Sequence, residues 1–147
     1  MTQPADPQAL AEACAEAMWA EDRASRGLGM ALDEVGPGCA RLSMRVAEAM
    51  VNGHGICHGG FIFTLADSAM AFASNSHGER AVAQQAAISF LRPAKHGERL
   101  TAEAVERARA GRTGLYDVRV TAEDGAVVAE FRGHTRSLGE KFFGGEK

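Results

Sequence analysis

The sequence predicts an α+β domain in which one antiparallel sheet surrounds one long helix. Three observations carry this reading. Residues 61–73 form a 13-residue apolar stretch that holds a single charge, Asp67. Four strand-like segments follow it with no helical pattern between them. The last two of those segments are joined by Asp124-Gly125, a dipeptide that favours a tight hairpin turn.

Along the chain, Asp6-Pro7 marks a helix start: an acceptor side chain for free amides, then a proline at the first helical position. Ala-rich sequence extends this helix over about residues 7–25, and Gly27 and Gly29 stop it. Residues 38–46 alternate apolar and polar side chains, the mark of a half-buried strand. A Gly/His-rich loop, NGHGICHGG, spans residues 52–60 and leads into the central helix, placed at about residues 59–75. The strands that follow are placed at residues 81–91, 100–109, 115–122 and 126–138, with Pro93 closing the first of them. The tail FFGGEK is expected to be loose at its end. All 147 residues suit a single domain.

Composition narrows the function classes. A net charge of -3 and a pI of about 5.9 give no average attraction to nucleic acid. The charge is uneven: residues 1–75 hold 4 Lys/Arg against 9 Asp/Glu, and residues 76–147 hold 12 against 10. A polyanionic ligand is therefore expected on the second half. The apolar stretch is shorter than the roughly 18 residues a membrane span needs. The N-terminus lacks the basic-then-apolar order of a secretion signal. Three cysteines without close pairing suit reduced thiols, and the expected location is the cytoplasm.

The central helix is apolar nearly all round, which predicts burial on all sides. Its polar members, Thr64, Asp67 and Ser68, share one face through their i+3 and i+4 spacing. Thr and Ser can bond carbonyls one turn back, but Asp cannot. A carboxylate among Leu, Ala, Met and Phe should have a raised pKa and need a partner. It is either a structural acid, capping a loop or paired with Arg, or a general base or nucleophile facing a cleft. The upstream sequence favours the second. His58-Gly59-Gly60 opens the helix, where the first amides lack intrahelical partners and the dipole favours negative charge. Two glycines there let a ligand reach the backbone, which suits the oxyanion of an attacked thioester.

Asp67 lies eight residues after Gly59, about 12 Å along a helix axis at 1.5 Å per residue. One acyl carbon must sit about 3 Å from both the attacking group and the oxyanion donors. If the two features cooperate, Asp67 must come from a second subunit, and a two-fold dimer supplies two such sites.

Other chemistries are poorly served. No Gly-x-Ser-x-Gly elbow, phosphate-binding Walker loop or dinucleotide fingerprint occurs. His54, Cys57 and His58 do not complete a tetrahedral ligand set, so no metal is expected.

Asn52-Gly53-His54, Cys57-His58-Gly59-Gly60, residues 63–69 (FTLADSA) and Asn75-Ser76 together resemble the hotdog-fold thioesterases of the phenylacetate-degradation (PaaI) type. Phe90-Leu91-Arg92-Pro93, residues 113–117 and Phe131-Arg132-Gly133 extend the likeness over residues 18–138. An Asn 15 residues before an Asp, with His-Gly-Gly between, is the family's active-site spacing.

The resemblance implies a long helix wrapped by a curved antiparallel sheet, dimerised and paired again into a homotetramer. It makes Asp67 the base or nucleophile, Gly59 (with Gly60) the carbonyl-polarising amides, Asn52 an orienting group and His58 a lining residue. The implied substrates are aryl-acyl-CoA esters such as (hydroxy)phenylacetyl-CoA, with coenzyme A part of the substrate and no separate cofactor. Arg92, Lys95 and Arg112 are the candidates for the CoA phosphates. Two other readings of the fold stand beside this one. A non-catalytic acyl-CoA-binding protein would normally carry an effector domain, and a dehydratase would want a proton-abstracting His where the helix offers Asp67.

Overall fold

The computed structural model describes residues 2–144. The end of the tail expected to be loose, residues 145–147, lies outside the described residues.

Helix α1 (Pro7–Glu21) starts as the sequence indicates: the Asp6 side chain accepts from the Ala9 amide at 2.9 Å and Pro7 takes the first helical position. It does not continue to residue 25. Asp22 breaks it and caps α2 (Arg23–Gly27), its carboxylate accepting from the Ser25 amide at 2.9 Å and the Ser25 hydroxyl at 2.7 Å. A short polar side chain that satisfies free amides starts a new helix more readily than it sits inside one.

Strand β1 (Ala31–Gly36) went unanticipated. It pairs antiparallel with β2 (Cys39–Arg45) through a turn at Pro37 and Gly38, whose φ is +70°. A Pro-Gly dipeptide between two short segments is the signal that would have found it. The central helix α3 (Gly59–Ser74) is followed by β3 (Glu79–Phe90), β4 (Arg99–Ala110), β5 (Thr113–Thr121) and β6 (Val127–Lys141). At Asp124-Gly125 the chain makes the expected turn, with the Ala122 amide donating to the Ala126 carbonyl at 3.0 Å and Gly125 at φ +85°.

The six strands form one sheet in the order β1-β2-β4-β5-β6-β3, every neighbouring pair antiparallel. The sheet wraps α3. Leu42 and Met44 of β2, Leu100 and Ala102 of β4, Val118 and Val120 of β5, and Val128 and Phe131 of β6 are buried with Leu65, Ala66, Ala69, Met70 and Phe72 of α3. Each large side chain in this core contributes about 1.5–3 kcal/mol by leaving water. Small residues bring the layers together: a Cβ at Gly133 of β6 would overlap the Met70 sulfur of α3.

Burial of α3 is one-sided, contrary to the expectation of burial all round. Phe61, Phe63, Thr64, Asp67, Ser68 and Ala71 are only half-buried. The i, i+4, i+8 row Phe63, Asp67, Ala71 is the face that one sheet cannot cover. Edge strand β3 is also largely exposed despite its apolar sequence, with Val82 and Phe90 about half exposed.

Candidate active site

The glycine turn is built by the loop before it. The Asn52 side-chain oxygen accepts from the His54 amide at 2.9 Å and the Ile56 amide at 3.4 Å, and the Asn52 amide donates to the Ile56 carbonyl at 2.8 Å. These bonds assign the oxygen to the loop and leave the side-chain NH₂ as the group free to meet a ligand. The Cys57 amide donates to the Ala94 carbonyl and the His58 amide to the Met50 carbonyl, both at 2.7 Å. Cys57 is buried, and its thiol pKa is raised by that burial. It is part of the scaffold.

His58 caps α3. Its Nδ1 accepts from the Gly60 amide at 2.8 Å, and its ring meets the Phe61 ring edge-on with centroids 6.1 Å apart. This changes the expected division of labour. The Gly60 N–H is already spent on His58, whereas the Gly59 N–H has no hydrogen-bond partner among the described residues. Gly59 is thus the open donor at the positive end of the helix. The Phe90 ring lies against it, and a Cβ at Gly59 would fall 2.8 Å from the ring's far carbon.

Asp67 sits two turns further along the same helix, in a cavity of about 350 Å³. That cavity is lined by Met18, Met70, Ala71, Val82 and Leu138, with Ser74, Asn75, Arg80 and Thr135 also bordering it. Burial pushes the Asp67 carboxyl above its ordinary value. It makes no hydrogen bond or ion pair to the described residues. Arg80 borders the cavity, but its guanidinium lies over the Phe142 ring, 4.3 Å from the centroid. The polar neighbours on α3 are accounted for separately. The Thr64 hydroxyl donates to the Gly60 carbonyl at 2.8 Å, one turn back, as expected. Ser68 instead shares a 2.8 Å bond with the buried Ser25 hydroxyl of α2.

Asn52, His58, Gly59 and Gly60 therefore gather at the N-terminal end of α3, and none of them lines the cavity that holds Asp67. Sequence reasoning gave no role to Asn75, which ties the end of α3 to β3. Its side chain accepts from the Ala81 amide at 2.9 Å and donates to the Ala71 and Ala81 carbonyls at 2.8 and 3.0 Å. An Asn directly after a long apolar helix is the signal for such a tie.

The three basic candidates are not brought together. Arg92 is engaged by Glu98 at 3.2 Å and Asp124 at 3.3 Å. Lys95 follows Ala94, whose carbonyl holds the Cys57 amide, and so lies at the glycine-turn end. Arg112 is in the β4–β5 turn beside Ser137, the partner of Ala81 at the start of β3. Ten residues of strand, about 33 Å, separate that point from Leu91. Among the described residues, no group of three or more His, Cys, Asp or Glu is placed to hold a metal ion. No helix among them is long and apolar enough to cross a membrane.

A long helix wrapped by a six-stranded antiparallel sheet, with an open amide at its glycine turn and an unpaired acid within it, is a hotdog-fold thioester hydrolase. Comparison with known proteins agrees. A model of the Thioesterase superfamily matches residues 54–129. The acyl-coenzyme A thioesterase PaaI of Escherichia coli is 42% identical over 125 residues, covering 85% of this chain and 89% of the relative. The solved structure of E. coli PaaI, from the phenylacetic acid degradation operon, superimposes with a TM-score of 0.91 at 39% identity, covering 92% of this chain and 99% of that one. A Streptococcus mutans protein bound to acetyl-CoA superimposes with a TM-score of 0.74 at 28% identity, covering 76% of this chain and 90% of that one. The chain belongs to the Thioesterase superfamily and is of the PaaI type.

Proposed function

We propose that this chain hydrolyses acyl-CoA thioesters, aryl-acyl esters such as (hydroxy)phenylacetyl-CoA among them, at sites formed between two copies. The observation that carries this reading is the unpaired Asp67 carboxylate in an apolar cavity, about 12 Å along one helix from the open Gly59 amide. One chain cannot present both groups to one carbonyl carbon. Two antiparallel copies joined along the exposed edge strand β3 can, because Phe90 at one end of that strand covers Gly59 while Ala81, Val82 and Ala83 near the other end border Asp67's cavity. The names of the relatives, and the acetyl-CoA bound by the S. mutans protein, support CoA esters as the substrate class.

In this reading the Gly59 N–H of one copy donates to the thioester oxygen and polarises the carbonyl. Asp67 of the other copy acts as general base on a water, or attacks directly. In the first route the water's oxygen bonds to the acyl carbon, its proton passes to Asp67, and collapse of the tetrahedral adduct breaks the C–S bond. The thiolate takes up the proton. In the second, Asp67 displaces the thiolate to give a mixed anhydride that water then opens. The Asn52 NH₂ orients the water or the carbonyl, and His58 shapes the glycine turn. Of the three basic candidates, Lys95 and Arg112 are left for the CoA phosphates, since Arg92 is engaged by Glu98 and Asp124.

The test is thiol release from phenylacetyl-, hydroxyphenylacetyl-, benzoyl- and aliphatic acyl-CoA, by the native protein and by Asp67→Ala. Turnover by the native protein, with a loss of about 100-fold or more in the variant, is the expected result. Binding of the esters without cleavage would make the chain a non-catalytic acyl-CoA-binding protein and Asp67 a structural acid.

A further inference from the structure

We infer that Met18 of the N-terminal helix is a specificity-determining residue, the wall against which the acyl group ends. The inference rests on the thioester-hydrolase reading above and adds what selects the acyl group.

Asp67's cavity is closed mostly by elements of the sheet and by α3 itself. Met70 and Ala71 come from α3, Val82 and Ala83 from β3, and Thr135 and Leu138 from β6. Met18 is the one lining residue that comes from α1. Its side chain is half-buried and packs on the core cluster. The match to the Thioesterase superfamily begins at residue 54, so this wall lies outside the matched segment. Met18 thus lies outside the segment that carries Gly59 and Asp67.

Met18 is held in place. The Asp22 carboxylate binds the Ser25 hydroxyl at 2.7 Å, and the Ser25 hydroxyl meets the Ser68 hydroxyl at 2.8 Å. Ser68 is the neighbour of Asp67 on α3, and Ser25 is 1% exposed. The junction of α1 and α2 is therefore anchored to the helix that carries the acid, one residue from it. Trp19 adds a second tie, its ring tilted against Phe72 of α3 with centroids 6.0 Å apart. Hydrogen bonds shielded from water hold geometry well, because breaking one strands a buried polar group. With both ties made, Met18 cannot swing away from the cavity as a loose terminal segment would.

The apolar lining around the acid defines the ligand. It has no fixed cation aimed at Asp67, since Arg80 stacks on Phe142. What fits beside the carboxylate is the hydrocarbon part of an acyl group, aliphatic or aromatic, lying along Met70, Val82 and Leu138 and ending at Met18. Methionine is unbranched and polarisable, so it suits flat and flexible acyl groups alike. The size of residue 18 then sets how much hydrocarbon fits.

Met18→Ala, Met18→Phe and Met18→Leu separate this role from a packing role. kcat/KM is measured for straight-chain acyl-CoA esters from acetyl to octanoyl and for phenylacetyl-CoA, with thermal stability followed in parallel. Met18→Ala should raise the ratio of long-chain to acetyl rates about tenfold or more, the usual scale for a methylene or two in an apolar pocket. Met18→Phe should lower that ratio by a similar factor, with acetyl-CoA turnover falling least of the series. Met18→Leu, close in volume, should keep the native preference as the size control, and the Met18→Phe series carries the test if the Ala variant does not fold. Ser25→Ala, which cuts the tie and keeps the methionine, should broaden the preference as Met18→Ala does. Equal effects on every ester in the Ala and Phe variants would overturn the inference and make Met18 a packing residue only. Absence of any turnover by the native protein would instead overturn the hydrolase reading, and this inference would fall with it.

Discussion

The division of one active site between two chains can be tested by complementation. Gly59→Pro removes the open amide while keeping a residue suited to the helix start. Proline is favoured at the first position of a helix, where the missing N–H had no intrahelical partner. His58 already has φ -61° and ψ 132°, the conformation a residue before proline prefers. The half-exposed Phe90 ring, against which the new ring would press, must shift to admit it, so dimerisation of the variant is checked alongside its activity. Loss of one oxyanion donor lowers kcat by about 10²–10³, or about 2.7–4 kcal/mol of barrier. Asp67→Ala removes the other half of the site.

A dimer of one Gly59→Pro chain and one Asp67→Ala chain carries one intact site and one doubly defective site. Co-refolding equal amounts gives about half mixed dimers, so total activity should recover to about one quarter of native from two nearly inactive parents. The mixed dimer purified through two different tags should show about half the native activity per dimer. Thiol release on the best ester of the panel is the assay. If the doubly tagged dimer is isolated and remains as inactive as its parents, the two groups do not act in one site across the interface. If the native enzyme is active as a monomer, the argument from helix length fails outright.

Asp67→Asn should abolish turnover yet raise the melting temperature at neutral pH. Burial lifts the carboxyl pKa in the folded chain above its unfolded value, so the native state binds more protons between the two and stability falls as pH rises through that window; the native enzyme's kcat/KM should rise with pH through the same raised pKa. Asp117 behaves oppositely: the Arg132 guanidinium at 2.6 Å, aided by Arg107 at 2.9 Å, outweighs partial burial and holds its carboxyl down at about 2. Its contribution is complete above the unfolded value of about 4 and disappears as pH falls through about 2, so Asp117→Asn should lower the melting temperature at pH 7, by an amount that vanishes toward pH 2. Gly133→Ala should cost about 1–3 kcal/mol in a denaturant titration because the added carbon meets the Met70 sulfur across a closed core; a neutral result would mean that α3 and β6 can separate without penalty.

Much of the fold was legible because local signals agreed with the tertiary outcome. The cap at Asp6-Pro7, the alternation in residues 38–46 and the turn at Asp124-Gly125 each use chemistry confined to a few neighbours, and each appears in the structure. β1 was not legible. ALDEVG has no clean alternation, and it becomes a strand by pairing with β2 across a bulge between Leu32 and Glu34. The break at Asp22 depends on Ser25 and, through it, on Ser68 43 residues away, which no helix propensity reports. Cationic residues were the least legible part. Arg92 and Lys95 are close in sequence, but only contacts show that Arg92 is engaged by Glu98 and Asp124, while Arg112 lies at the far end of β3.

At the candidate site, sequence gave the residue types and the structure gave their commitments. His58-Gly59-Gly60 presents two amides of apparently equal standing, and the spacing alone favours neither. The His58 ring decides between them by accepting the Gly60 N–H at 2.8 Å. That bond makes Nδ1 the accepting nitrogen of the ring. The same cap that leaves Gly59 as the open donor therefore holds the first turn of α3 in place, because the Gly60 amide would otherwise compete with Gly59 for any acceptor at the helix start. His58 thus acts on the oxyanion donor through the helix it caps, although its ring need never touch the substrate.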